Sequence, residues 1–212
     1  MKTDKKQFFG SLIFPCSFVL LLWIIKSVEV VFNISFAQFG IYPRTEKGLI
    51  GIVTAPLIHA SWDHLISNTL PFLIMGITVF YFYRSIALKI FFWIYFITDV
   101  WVWVAAREAY HIGASGLVYG FVCFVFFSGV FRKNKSLLAL SLFVAFFYGS
   151  LVWGVFPMMP RISWESHLMG SFAGIITAYY FRHEGPSNEH YDFEDEDDDE
   201  PYEEPEFFEE EN

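Results

Sequence analysis

The sequence predicts an all-α membrane protein, a bundle of six spanning helices. Three observations carry this. Of the 212 residues, 55% are hydrophobic and 21% aromatic against only 17% charged, with a mean hydropathy of +0.42. That is more apolar than a soluble domain of this length usually is. The apolar residues also lie in long blocks of about 20, the length of a spanning helix. Finally, the net charge of −9 belongs to one end of the chain. From Glu184 onward there are 16 acids and no Lys or Arg, which leaves 7 acids and 14 bases before it, net +7.

Spanning helices are expected near 11–33, 63–83, 87–106, 115–131, 136–156 and 164–182. The short start 1–10, with Lys2, Lys5 and Lys6, reads as a cytosolic segment. The apolar stretch after it is too long for a signal-peptide core and lacks a small-x-small cleavage site, so it reads as a retained first span. The connection 34–62 holds Gly40, Pro43, Gly48, Gly51 and Pro56, with charges at Arg44, Glu46 and Lys47. It is too polar to span and too apolar to be a free linker, which suits an interfacial loop with a short amphipathic element. The tail 184–212, with its run EDEDDDE, reads as disordered and solvated. Cys16 and Cys123 both sit in apolar blocks and imply neither a disulfide framework nor a cysteine metal site.

Basic residues set the expected orientation. Arg84 and Lys89 flank the second connection, Arg132, Lys133 and Lys135 the fourth, and Arg182 ends the last helix. With the amino-terminal lysines they mark one face, and the positive-inside rule puts both termini in the cytosol. Acids weigh little in that rule, so the acidic tail does not oppose it.

Polar residues inside spans are costly and therefore candidates for function. Ser115 lies 17 residues before Arg132, His167 lies 15 before Arg182, and Asn68 lies 16 before Arg84. At the helical rise these are roughly 25, 23 and 24 Å from the cytosolic edge. Three helices thus offer a serine, an imidazole and an amide at one depth, with His64 one turn above Asn68. Gly116 and Gly120 on the fourth helix, and Gly170 and Gly174 on the sixth, form small-xxx-small pairs that let backbones touch. His167, Gly170 and Gly174 share one face. If these helices pack through their glycines, Ser115 and His167 come within hydrogen-bond reach, the geometry of a nucleophile and its base. Gly113 allows a sharp turn into the fourth helix, whose free N–H groups favour developing negative charge at Ser115. His64 and Asn68, at i and i+4, can both donate to an oxyanion. Tyr119 lies one turn below Ser115, where it could stack beneath the His167 ring. Taken alone, a G-x-S-G serine is as readily a turn residue or helix cap, and a buried histidine a packing residue.

The three motifs HASWDHLISN (59–68), GASGLVY (113–119) and SHLMGSFAG (166–174) together resemble the rhomboid family of intramembrane serine proteases, over roughly 11–183. The resemblance implies a Ser115–His167 dyad, an oxyanion site lined by His64 and Asn68, and Tyr119 under the imidazole. It implies membrane-protein substrates cut in or near their spanning segments, with no cofactor, metal or nucleic acid. It also implies a gate and cap formed by the fifth helix and the loop 156–163. The Trp-Arg pair common in the family's first loop is absent; only Arg44 hints at it. A bacterial cytoplasmic membrane is the expected setting, and the oligomeric state is left open. An inactive relative that binds client segments is the alternative. A metalloprotein using His59, His64, His111 and His167 is a weaker one, since no H-E-x-x-H occurs. Asp99, Lys26 and Glu29 read as packing or polar-network residues, and His111 as a loop residue near the water-facing side.

Overall fold

A computed structural model describes residues 2–147, 154–157 and 162–184. Among these residues seven helices follow in order: α1 (Lys2–Val31), α2 (Gly51–Thr54), α3 (Trp62–Phe82), α4 (Ala87–Ala105), α5 (Ser115–Arg132), α6 (Lys135–Phe147) and α7 (Trp164–Tyr180). Strands are absent among the described residues; one antiparallel bridge joins Ile41 to His111. Four helical stretches among them are long and apolar enough to cross a membrane: Lys5–Val31, Trp62–Phe82, Ala87–Ala105 and Ser115–Arg132. The protein is a helical membrane bundle.

The six expected helices correspond to α1, α3, α4, α5, α6 and α7, with two differences. The first begins at Lys2 rather than near residue 11. Nothing in KTDKKQFF breaks a helix, and Gln7 Nε2 donates to the Tyr81 carbonyl (3.1 Å), which ties the extension to the far end of α3. The fifth is described as far as Phe147. Residues 148–153 of it, 158–161 of the loop 156–163 and the tail from 185 lie outside the described residues, while 154–156, expected at the end of the fifth helix, form turns instead.

The connection after α1 turns at Asn33 (φ +50°) and then runs as consecutive helical turns over residues 47–57. Backbone partners hold it against the end of α4. Arg44 donates to the Ala106 carbonyl (2.7 Å), Trp103 Nε1 to the Thr45 carbonyl (3.0 Å) and the Tyr95 hydroxyl to the Val53 carbonyl (2.5 Å).

The core is aromatic and aliphatic. Phe72, Met75 and Val79 of α3 and Tyr83, which caps its end, pack with Ile90 and Ile94 of α4 and Phe121 and Phe124 of α5. Buried Tyr83 places its hydroxyl 2.6 Å from Ser128 Oγ, so neither polar group is left alone among the rings. Many large apolar residues of α1 face outward, among them Phe9, Ile13 and Val31. In lipid such residues are at home, so association rests on close packing rather than on expulsion of apolar surface.

The closest packing joins α5 and α7. A Cβ at Gly170 would collide with the Gly116 carbonyl oxygen, and one at Gly174 with that of Gly120. A Cβ at Gly116 would in turn stand 2.9 Å from Thr98 Cγ2 of α4 and 3.2 Å from the Ser166 carbonyl oxygen of α7. The obstacles to Gly170 and Gly174 are backbone atoms, which cannot rotate away. Gly170→Ala or Gly174→Ala is therefore expected to cost about 1–3 kcal/mol of stability, the usual range for overpacking. Unfolding midpoints in detergent check this, and an unchanged midpoint for both would contradict the contact.

Candidate active site

Ser115 opens α5, and its Oγ lies 2.8 Å from His167 Nε2 of α7. Both residues are buried. The other ring nitrogen fixes how the proton is shared. His167 Nδ1 is 2.8 Å from the carbonyl oxygen of Gly154, in the connection before α7. A carbonyl only accepts, so Nδ1 carries the hydrogen and Nε2 presents a lone pair to the serine hydroxyl. The ring is also fixed in plane: Tyr119 stacks on it with centroids 4.2 Å apart and planes 10° from parallel.

The approach to Ser115 is a tight turn. Gly113 has φ +112°, a conformation L side chains rarely adopt. A Cβ there would also stand 2.6 Å from His64 Cε1 and 2.8 Å from His64 Nε2. Glycine is required for backbone and space alike, and the contact brings the His64 ring to the entrance of α5. Ala114 follows as the cap residue, its N–H donating to His59 Nε2 at 3.3 Å. Because α5 begins at Ser115, its first amides have no acceptor within the helix and carry the positive end of the dipole.

On α3, Ser61 caps the helix by accepting from the His64 amide, so His64 lies in the first turn. Buried Asn68 is one turn further on. Its Nδ2 donates to the His64 carbonyl (3.0 Å). An amide NH₂ has two hydrogens, so one remains for another acceptor. The structure thus brings Ser115, His167 and Tyr119 into direct contact, and His64 against Gly113. Gly116, Gly170 and Gly174 form the surface on which the two helices meet.

Three features escaped the sequence reading. The Gly154 carbonyl is one, and a backbone acceptor has no sequence signature. His111 is the second. It lies in a loop, as expected, but is buried, and it pairs with Ser163 Oγ (2.5 Å) and the Arg107 carbonyl (3.0 Å). Arg107 and Glu165 are the third. Their charged groups stand 3.4 Å apart, and Arg107 also donates to the Ile162 carbonyl (2.9 Å). These groups clamp the start of α7, two to five residues before His167. A legible signal was Ser163, whose place before Trp-Glu-Ser is that of a helix cap; its side chain accepts from the Ser166 amide. Lys26 and Glu29 do pair (3.2 Å) within a buried network. Among the described residues no three His, Cys, Asp or Glu side chains could share a metal ion.

Comparison with known proteins adds the lineage. The family model of the rhomboid domain matches residues 46–184. The chain belongs to the rhomboid family. This rhomboid is similar to Uncharacterized protein Rv1337 of Mycobacterium tuberculosis and Uncharacterized protein Mb1372 of Mycobacterium bovis. Each is 33% identical over 172 residues, covering 77% of this chain and 72% of the relative. It is also similar to Uncharacterized protein ML1171 of Mycobacterium leprae, 31% identical over 173 residues and covering 77% and 68%. The family match includes all three motif segments carrying Ser115, His167, His64 and Asn68.

Two loop histidines of this rhomboid are held neutral. Burial lowers His59 from its ordinary 6.5 to about 3, helped by His64 and Lys26, and burial likewise lowers His111. An unfolded chain takes up protons on these rings as pH drops below about 6.5, while the folded one does not. The His59 contribution is therefore complete above about pH 6.5 and is lost progressively toward about pH 3, and that of His111 is lost in the same direction. The unfolding midpoint should fall over this window. His59→Gln, which can still accept from Ala114 without titrating, should flatten the fall; an identical profile for the variant would contradict the assignment.

Proposed function

We propose that the chain is an intramembrane serine endopeptidase that cleaves other membrane proteins in or beside their spanning segments. The observation carrying this reading is the 2.8 Å bond from Ser115 Oγ to His167 Nε2, with Nδ1 committed to the Gly154 carbonyl. A serine bound to an unprotonated ring nitrogen is a nucleophile with its base in place.

Ser115 Oγ attacks the scissile carbonyl carbon while its proton passes to His167 Nε2. The C–O bond forms, and the carbonyl oxygen takes the negative charge. The Ser115 amide, the remaining N–H of Asn68 and the His64 ring are the proposed donors to that oxygen. His167 then gives its proton to the leaving amine nitrogen as the C–N bond breaks. Water, deprotonated by His167, displaces Ser115 from the acyl-enzyme and regenerates the dyad. Tyr119 keeps the imidazole in plane through both transfers. No cofactor or metal enters this scheme.

The same reading treats 1–10 as a cytosolic segment, 11–183 as the six-helix membrane domain and 184–212 as an acidic cytosolic tail. Both termini then face the cytosol, in a bacterial cytoplasmic membrane. The partners are substrate membrane proteins and the lipid bilayer.

Ser115→Ala is expected to abolish cleavage of a model membrane substrate without changing the unfolding midpoint, and undiminished cleavage would sink the assignment. Asn68→Ala should lower kcat by about 10²–10³, the cost of one oxyanion donor; a wild-type rate would remove the amide from the mechanism. A fluorophosphonate probe should label Ser115 in the wild type. If it does not, and no substrate is cut, the inactive client-binding relative is the better account.

A further inference from the structure

The buried ion pair on α1 lies outside the motifs of the candidate site, yet its bonds lead there. Lys26 and Glu29 are both almost wholly buried. Lys26 Nζ donates to Glu29 Oε2 (3.2 Å), the His59 carbonyl (3.0 Å) and the Ala60 carbonyl (3.2 Å). An ammonium has three hydrogens, and each has an acceptor. Glu29 Oε1 takes the Phe36 amide (2.7 Å). The pair therefore joins α1 to the chain that leaves it and to the two residues that lead toward α3.

The tether continues to the nucleophile. His59, whose carbonyl Lys26 holds, accepts the Ala114 amide on its Nε2 (3.3 Å). Ala114 immediately precedes Ser115. The His59 ring also meets the His64 ring edge-on, with centroids 5.1 Å apart, and His64 abuts Gly113. Two imidazoles thus grip Gly113 and Ala114, and the backbone of one is pinned by Lys26. A charge pair costing so much desolvation is weak evidence for stability. Its bonds are better explained by what they hold.

We propose that Lys26 and Glu29 are positioning residues for the oxyanion site. Through the His59 and Ala60 carbonyls they fix His59, and through His59 the amide that sets the entry of α5 and the direction of the Ser115 N–H. The kinetic part of this inference rests on the peptidase reading; the structural part does not.

The test uses the full chain in detergent. The double substitution Lys26→Met with Glu29→Gln leaves no unpaired buried charge, and the introduced amide oxygen can still accept from the Phe36 N–H. Assayed well below its unfolding midpoint, the variant should lose about 10- to 100-fold in kcat, as displaced catalytic groups do, with KM within about twofold. Hydrogen exchange of the peptide carrying Ala114 should be faster than in the wild type. A second variant, His59→Leu, keeps the ion pair and removes only the acceptor. It should lower kcat to a similar degree, and combining it with the double substitution should add little, since both act through one amide. A lower midpoint with unchanged kcat and unchanged exchange would overturn the proposal and leave the pair purely structural. Fully multiplicative effects would overturn it too. If the wild type itself neither cleaves nor takes the probe, the peptidase reading fails; the exchange comparison then stands alone, faster exchange upholding the tether and equal exchange overturning it.

Discussion

Two helix backbones in contact are the constraint on which the rest depends. Gly170 and Gly174 of α7 rest on the carbonyls of Gly116 and Gly120 of α5, with no room for a Cβ. The nucleophile candidate and its histidine are on these two helices, a few residues above the contact. A hydrogen bond of 2.8 Å tolerates only a few tenths of an ångström of displacement before it weakens. Within a bilayer, lipid tails offer as apolar a surface as leucine does, so only close packing and polar contacts fix how deep and at what rotation two helices meet. Glycine at four positions supplies that fixity.

The polar atoms of His167, just above this contact, are all committed. His167 uses one ring nitrogen on the Gly154 carbonyl and the other on Ser115, and its face on Tyr119. The carbonyl sets the tautomer, the service that a carboxylate gives in a catalytic triad. It does so without placing a second charge in a low-dielectric setting, where such a charge is costly. Asn68 splits its amide between its own helix and one free hydrogen.

Apart from Asp99, buried within α4, the charged groups stand near the ends of the helices. Arg107, Glu165, His111 and Ser163 hold the start of α7 to the loop before α5. Lys26 and Glu29 hold α1 to the chain entering α3. Arg44 and Trp103 hold the first connection to the end of α4. The first clamp grips residues within four positions of His167. The second reaches Ala114, next to Ser115, through the His59 ring. The loops around the site are thus fixed from outside the glycine contact.

The sequence by itself determined the helical membrane class, the places of the helices and the shared level of Ser115 and His167. Depth is legible because helical rise is constant: counting residues from a charged boundary measures it. The glycine spacing gave the packing faces for a similar reason, since three- and four-residue steps stay on one side of a helix. The tertiary structure decided everything that depends on direction across the bundle. Both faces of most helices here are apolar, so no polar stripe marks the inside. The partner of His167 Nδ1 is a backbone oxygen, identical in every residue type. The clamp at His111 and the carbonyl acceptors of Lys26 join residues 33 to 52 positions apart. Only the folded chain selects such pairs, because rise fixes where a residue lies along its helix and packing alone fixes what it faces.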